Sequence, residues 1–227
     1  MLRGKDICKY GIKWKELWLI GTFPSKHLDI EELPTIKKHL LSFPIERLEQ
    51  TGATHIINGE KIKSRKKTSG KWFETQDSIS YWKEFYKPKI IYPETSKFLP
   101  FYYDEQRFLA NKTCFIMRGG KHLAYLTAFF NSSLFKFCFR DNFPALFGGA
   151  RGLSKIFFEK IPVLEVDDAT DAEFHDLVLD IQNEYSDEKA KAIDQKIFDL
   201  YGLTQEERDT IGYIDYHNNG EEDDEEA

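Results

Sequence analysis

Residues 121–140 carry the broadest apolar stripe in the chain. Leu123, Leu126, Phe130, Leu134 and Phe137 recur at helical spacing, and Tyr125 and Phe129 widen the face. A helix with that much apolar surface must be covered by a sheet or by other helices. The residues just before it supply strands. Ile90-Ile91-Tyr92, Phe101-Tyr102-Tyr103 and Thr113 to Met117 are β-branched and aromatic runs. Pro93, Pro100, Asp104-Glu105 and Asn111 separate them, as turn or edge residues do. Lys155 to Leu164 reads as a last strand. With 41% apolar and 15% aromatic residues, a chain of 227 can bury a real core. The fold class expected is α/β mixed (α+β): a twisted, partly antiparallel sheet with at least two packed helices, followed by a C-terminal helical hairpin.

Toward the N-terminus, residues 1–23 read as short strands and turns, with Leu17 to Ile20 as an apolar run. Residues 34–50 read as a helix that Pro44 should kink or split. Thr54 to Ile57 reads as a strand, and Asn58 to Lys71 as an exposed loop or hairpin with little to bury. Beyond Val166 the pattern is helical throughout. Thr170 with Glu173 and Thr204 with Glu207 match capping boxes. Phe174, Leu177, Val178, Ile181 and Tyr185 form one stripe; Ala190, Ile193, Ile197 and Leu200 form a second, which Gly202 ends. Such an αα-hairpin must pack on the body or on a partner. The expected boundaries are 1–166 for the body, 167–212 for the helical extension and 213–227 for a disordered acidic tail.

Charge divides the same way. Residues 1–164 hold 28 Lys+Arg against 16 Asp+Glu, whereas residues 165–227 hold 4 against 22, so the net charge of -6 averages two unlike halves. A basic body with an acidic annex suits a polyanionic partner; solvated lysines with a repelling tail would look the same. No apolar run reaches the ~18–20 residues of a membrane span, and the N-terminus carries Asp6 and no apolar leader. Cys8, Cys114 and Cys138 form no CxxC pair, which points to a reducing, cytoplasmic setting. The histidines at 27, 39, 55, 122, 175 and 217 show no metal-binding spacing. Asp187-Glu188-Lys189 matches half of a nuclease core, but within an acidic annex that would repel DNA.

Seven segments stand in order: LRGKDICKYGIKW, HIINGEKI, KWFETQDSISYW, KPKIIYPETSKFLPFYYDEQRF, YLTAFFNSSLFKFCFRDNFP, GGARGLSKIFFEKIPV and IDQKIFDLYGLTQEE. Together, over residues 2–211, they resemble the TaqI-like C-terminal specificity (target recognition) domain of type II and type IIG restriction-modification adenine-specific DNA methyltransferases. The resemblance implies a sequence-specific reader of double-stranded DNA that works beside a methyltransferase domain or subunit. It also implies that S-adenosylmethionine and Mg belong to those absent domains and that this chain holds no cofactor. The family's Asn-Pro-Pro-Tyr-type catalytic motif is missing here. Phe147 to Gly152 looks superficially like a cofactor loop, but it follows Pro144 and precedes the expected strand 155–164, not a helix.

Residues 61–71 hold six cations, Lys61, Lys63, Arg65, Lys66, Lys67 and Lys71, suited to phosphates that release counterions when neutralised. Asn58, Glu60, Thr68, Ser69 and Glu74 carry groups able to read base edges, and Trp72 lies beside them. A solvated lysine loop is the plain alternative. Arg118-Gly119-Gly120-Lys121 and Gly148-Gly149-Ala150-Arg151 either bring backbone and arginine to DNA or simply turn the chain. Arg3, Lys5 and Asp6 open the family motif and equally suit a structural role. No catalytic residue is expected. The competing function is a protein-interaction module that docks a partner subunit through the C-terminal helices.

Overall fold

The computed structural model describes residues 1–214; the acidic run 221–226 and most of the expected tail lie outside them. The chain folds as two compact units, Met1–Leu17 together with the chain from Phe85 onward, and Trp18–Glu84. The boundary expected at residue 166 therefore does not divide the units.

The larger unit begins with a short antiparallel pair, β1 (Ile7–Cys8) and β2 (Gly11–Ile12). Leu17 to Ile20, expected as a strand-like run, is irregular, with Trp18 to Ile20 exposed. The smaller unit then contributes α1 (Pro34–Leu40) and α2 (Ile45–Leu48), split at Pro44 as expected. An antiparallel hairpin follows, β3 (Thr54–Ile57) and β4 (Glu60–Lys63).

From Phe85 the larger unit resumes with β5 (Lys89–Pro93), β6 (Thr95–Ser96), β7 (Tyr102–Asp104) and β8 (Cys114–Met117). Its sheet runs β7-β5-β8, antiparallel throughout. All of β5 is buried, so it reads as a continuous apolar run and not as an alternation. Alternate residues serve two cores. Ile90 and Tyr92 face an aromatic cluster with Phe101, Phe129, Phe130 and Phe135, while Ile91 packs with Tyr102, Leu2 and Ile7. The N-terminal strands thus cover one face of the sheet and helices cover the other.

The helix expected over 121–140 is two, α3 (Leu123–Asn131) and α4 (Ser133–Phe139). The break has a cause. Ser132 is extended and its hydroxyl accepts from the amide of Phe135, starting a new helix. Asn131 meanwhile brackets Phe101, accepting from its amide (3.1 Å) and donating to its carbonyl (2.8 Å). The turn redirects Phe137, expected in the core, out to solvent at 53% exposure. After β9 (Arg151–Gly152), which pairs with β6, the expected strand 155–164 is instead a short helix, α5 (Lys155–Phe158), and irregular chain. Its apolar residues do not alternate: Phe158 and Ile161 turn inward three apart, while Ile156 stays exposed.

Helices α6 (Asp168–Asn183), α7 (Asp187–Leu200) and α8 (Gln205–Ile211) complete the unit. Asp167, not Thr170, caps α6: its carboxylate accepts from the amide of Thr170, and that bonding holds it below its ordinary pKa. The Thr204–Glu207 box is formed. Phe174, Val178 and Ile181 of α6, with Ala190, Ile193 and Ile197 of α7, lie in the same core as the sheet. Gln182 satisfies the outer edge of β7, accepting from the amide of Tyr103 (2.9 Å) and donating to its carbonyl (3.0 Å). Asp194, buried on α7, receives the amide of Ser133 at the start of α4. Burial raises its pKa, against the pull of Ser133, Lys9 and Lys136. The two apolar stripes are therefore spent within the unit and are not open to a partner subunit. Among the described residues, no helix is long and apolar enough to cross a membrane.

If the helical extension is part of the sheet's own core, Phe174→Ala will cost about 3–5 kcal/mol, the usual loss for a buried phenylalanine. Urea denaturation followed by signals from sheet and helices should then shift as a single transition. A helical signal that melts first, with the sheet signal unmoved, would contradict this packing.

Candidate nucleic-acid interface

Asn58 and Gly59 form the two-residue tip between β3 and β4, both at positive φ (51° and 83°). This is the signature of the tight turn whose twist matches its strands, for which Asn-Gly is a favoured pair. The register pairs Thr54 with Lys63 and Ile56 with Lys61, so these four share one face of the ribbon. All four are exposed, Ile56 at 80%. The opposite face, with His55, Ile57 and Ile62, is half-buried. A ribbon that turns an isoleucine outward between two lysines leaves apolar surface and charge together in water.

The chain after β4 is not a loose lysine loop. Arg65, one of the six cations assigned to phosphate from the sequence, is spent internally. Its guanidinium donates to the carbonyls of Leu48 (Nε, 2.8 Å), Glu74 (Nη1, 2.7 Å) and Trp72 (Nη2, 2.5 Å). The arginine fork has donors enough for all three carbonyls, and burial lowers the group's pKa from its ordinary value. Gln50 repeats the brace. It is buried, donates to the carbonyls of Lys71 and Glu74 at 2.9 Å each, and accepts from the Thr68 hydroxyl. A Cβ at Gly70 would lie 2.9 Å from the Gln50 amide nitrogen, so a larger residue there would displace the end of this brace.

Glu74, expected at base edges, is also corrected. It is buried, and its carboxylate accepts from the amide of Lys71 at 2.7 Å. Trp72 is half-buried, edge-on to Phe73. Lys66, Lys67 and Lys71 stay exposed, with Lys71 over the Phe73 ring. The smaller unit therefore brings together Asn58, Lys61, Lys63, Lys66, Lys67 and Lys71 on a braced arm.

The remaining candidates belong to the larger unit. Arg118 and Lys121 are exposed in the turn between β8 and α3, where Gly119 takes φ 73°. Arg151 is mostly covered, paired with Asp141 and donating to the Phe143 carbonyl, so it fixes its own loop. That loop, residues 144–152, closes on itself: Leu146 donates to the carbonyl of Ala150, and Gly152 to that of Pro144. It leads through β9 into α5, not into the strand expected. Lys9, Lys89 and Lys136, counted in the basic half, are buried; Lys89 is ion-paired to Asp104.

Sequence reasoning misses Ile56 and Gln50. The Asn-Gly tip between alternating runs is a readable hairpin signal that sets the face of Ile56. Gln50 carries no local signal, because its bonds reach residues 18 to 24 positions away.

A family model, the TaqI-like C-terminal specificity domain, matches residues 1–163. The chain belongs to that family, which serves target recognition in restriction-modification systems and is not itself catalytic. The match stops before α6, although α6 and α7 complete the larger unit's core. A comparison with curated proteins finds no match.

The brace makes a sharp prediction. Arg65→Ala removes charge-assisted bonds to three carbonyls, a loss on the order of 2–4 kcal/mol. Arg65→Lys should rescue little of it, because an ammonium cannot fork. Limited trypsinolysis should then cut both variants at Lys66 and Lys67 much faster than the parent chain. Unchanged cleavage would show that Arg65 does not hold the arm.

Proposed function

We propose that this chain reads the sequence of double-stranded DNA on behalf of an adenine-specific methyltransferase domain or subunit of a restriction-modification enzyme. The observation that carries the reading is the braced ribbon. The major groove of DNA admits a two-stranded β-ribbon, and here one ribbon face presents a hydroxyl, an apolar side chain and two ammonium groups, with an amide at the tip. In this reading Asn58 and Thr54 hydrogen-bond to base edges, and Ile56 packs on a thymine methyl. Lys61, Lys63, Lys66, Lys67 and Lys71 hold phosphates and fix register without reading sequence. The turn with Arg118 and Lys121 adds phosphate contacts from the larger unit. Base flipping, methyl transfer and any cleavage, with S-adenosylmethionine and Mg, fall to the companion domains. Such an assembly works in the cytoplasm, where the DNA is.

The test is fluorescence anisotropy with duplex DNA across a salt series. If ~6–10 phosphates are contacted, affinity falls roughly a thousandfold or more between about 50 and 200 mM salt. Replacing Lys61, Lys63, Lys66 and Lys67 together by alanine should weaken binding by on the order of a hundredfold or more at about 200 mM salt and leave Tm nearly unchanged, since all four are exposed. Binding at the parent affinity and salt slope after this substitution would refute the arm as a DNA contact.

A further inference from the structure

The opening motif Arg3-Gly4-Lys5-Asp6 takes no part in the ribbon. In the larger unit it forms one wall of a cleft of about 550 Å³. Two of its charges cancel: Arg3 donates through Nη2 to Asp6 at 2.7 Å and through its amide to the same carboxylate at 2.8 Å, and Asp6 is buried. Gly4 seats this turn against the sheet, because a Cβ there would lie 2.6 Å from the Thr113 carbonyl. Lys5 of the same motif lines the cleft.

Three more lysines come from elsewhere in the chain. Lys13 and Lys15 flank Trp14, whose ring packs edge-on to Phe108 at 5.2 Å. Trp14 is half-buried and outside the cleft lining, which includes both of its lysine neighbours. Lys97 reaches in from the segment after β6. All four lysines are exposed, and the lining they share also includes Glu94 and the Arg3–Asp6 pair. The Ser96 hydroxyl, which accepts from the amides of Phe98 and Leu99, lies among them with its own proton to donate.

The chemistry selects the ligand. Four ammonium groups on flexible stems from three segments are point charges spread along a cleft, not a fork converging on one atom. They suit a run of evenly spaced anions better than a single one. We propose that this cleft holds the phosphate backbone of the DNA duplex, adding affinity without reading bases; this rests on the DNA-reading function proposed above. The cleft is then a second anchor, on a different unit from the ribbon.

The test compares two sets of substitutions, Lys13→Ala/Lys15→Ala/Lys97→Ala in the cleft and Thr54→Ala/Ile56→Ala, the base-facing pair, in the ribbon. Each full-length protein is titrated across a salt series with a duplex selected from a random library and with an unrelated one. The cleft variant should weaken both duplexes by the same factor. Its plot of log affinity against log salt should flatten by about 0.9 for each phosphate left without its cation, so by nearly 3 if all three lysines neutralise one. Restoring the charge with Lys→Arg at the same positions should restore the slope, and equal melting temperatures separate misfolding from the missing charges. A cleft variant with the parent slope and affinity overturns the proposal, even if the ribbon variant loses its preference. Loss of slope in the cleft variant, with a ribbon variant that still discriminates normally, sustains the cleft and refutes the ribbon. Competition by inorganic phosphate beyond that of chloride at matched ionic strength would assign the cleft to a single anion and overturn the backbone reading.

Discussion

Five exposed lysines on one short stretch repel one another, and a chain left to that repulsion would spread into solvent. The Arg65 guanidinium prevents it. By taking the carbonyls of Leu48, Trp72 and Glu74, it ties both ends of the segment after β4 to the end of α2. Gln50 ties the middle. The cations of the arm then project from a braced backbone, and in the proposed reading their ordering cost is met at folding and not at binding. One arginine serves the structure, and the neighbouring lysines stay exposed around it.

The larger unit obeys a different constraint. Its central strand is buried on both faces, so it must be covered twice. The N-terminal segment supplies one cover through Leu2 and Ile7; α3, α6 and α7 supply the other. The acidic annex is therefore amphipathic architecture. Its apolar stripes complete the core, while Asp168, Asp176 and Asp199 keep to solvent. Three lysines of the basic half are drawn into the same packing, which is why a count of cations overstates the basic surface.

What the sequence makes legible is what periodicity and local chemistry control. The strands expected at 90–92, 101–103 and 113–117 form within a residue of those bounds, with Asp104, expected in a turn, ending β7; the split at Pro44 and the Thr204–Glu207 cap also follow from residue type and spacing. Several failures involve partners distant in the chain, although the caps at Ser132 and Asp167 are local. Asn131, just before the break, brackets Phe101, and Phe158 of α5 meets Tyr92 and Phe143. In the site, the lysines were legible as exposed cations. Arg65, Glu74 and Arg151 were not distinguishable from them, because charge alone does not tell a phosphate ligand from a bond to a carbonyl or to Asp141. Only the folded backbone decides which it is.

The central claim is that the outward face of the β3–β4 ribbon meets bases. Photo-cross-linking from an unnatural aromatic ketone at position 56 tests it most directly, with a duplex selected from a random library and the cross-linked nucleotide mapped. The account predicts adducts on bases within the selected site, lost when the tip residue Asn58 is deleted. Stable DNA binding with no adduct from position 56 would contradict it.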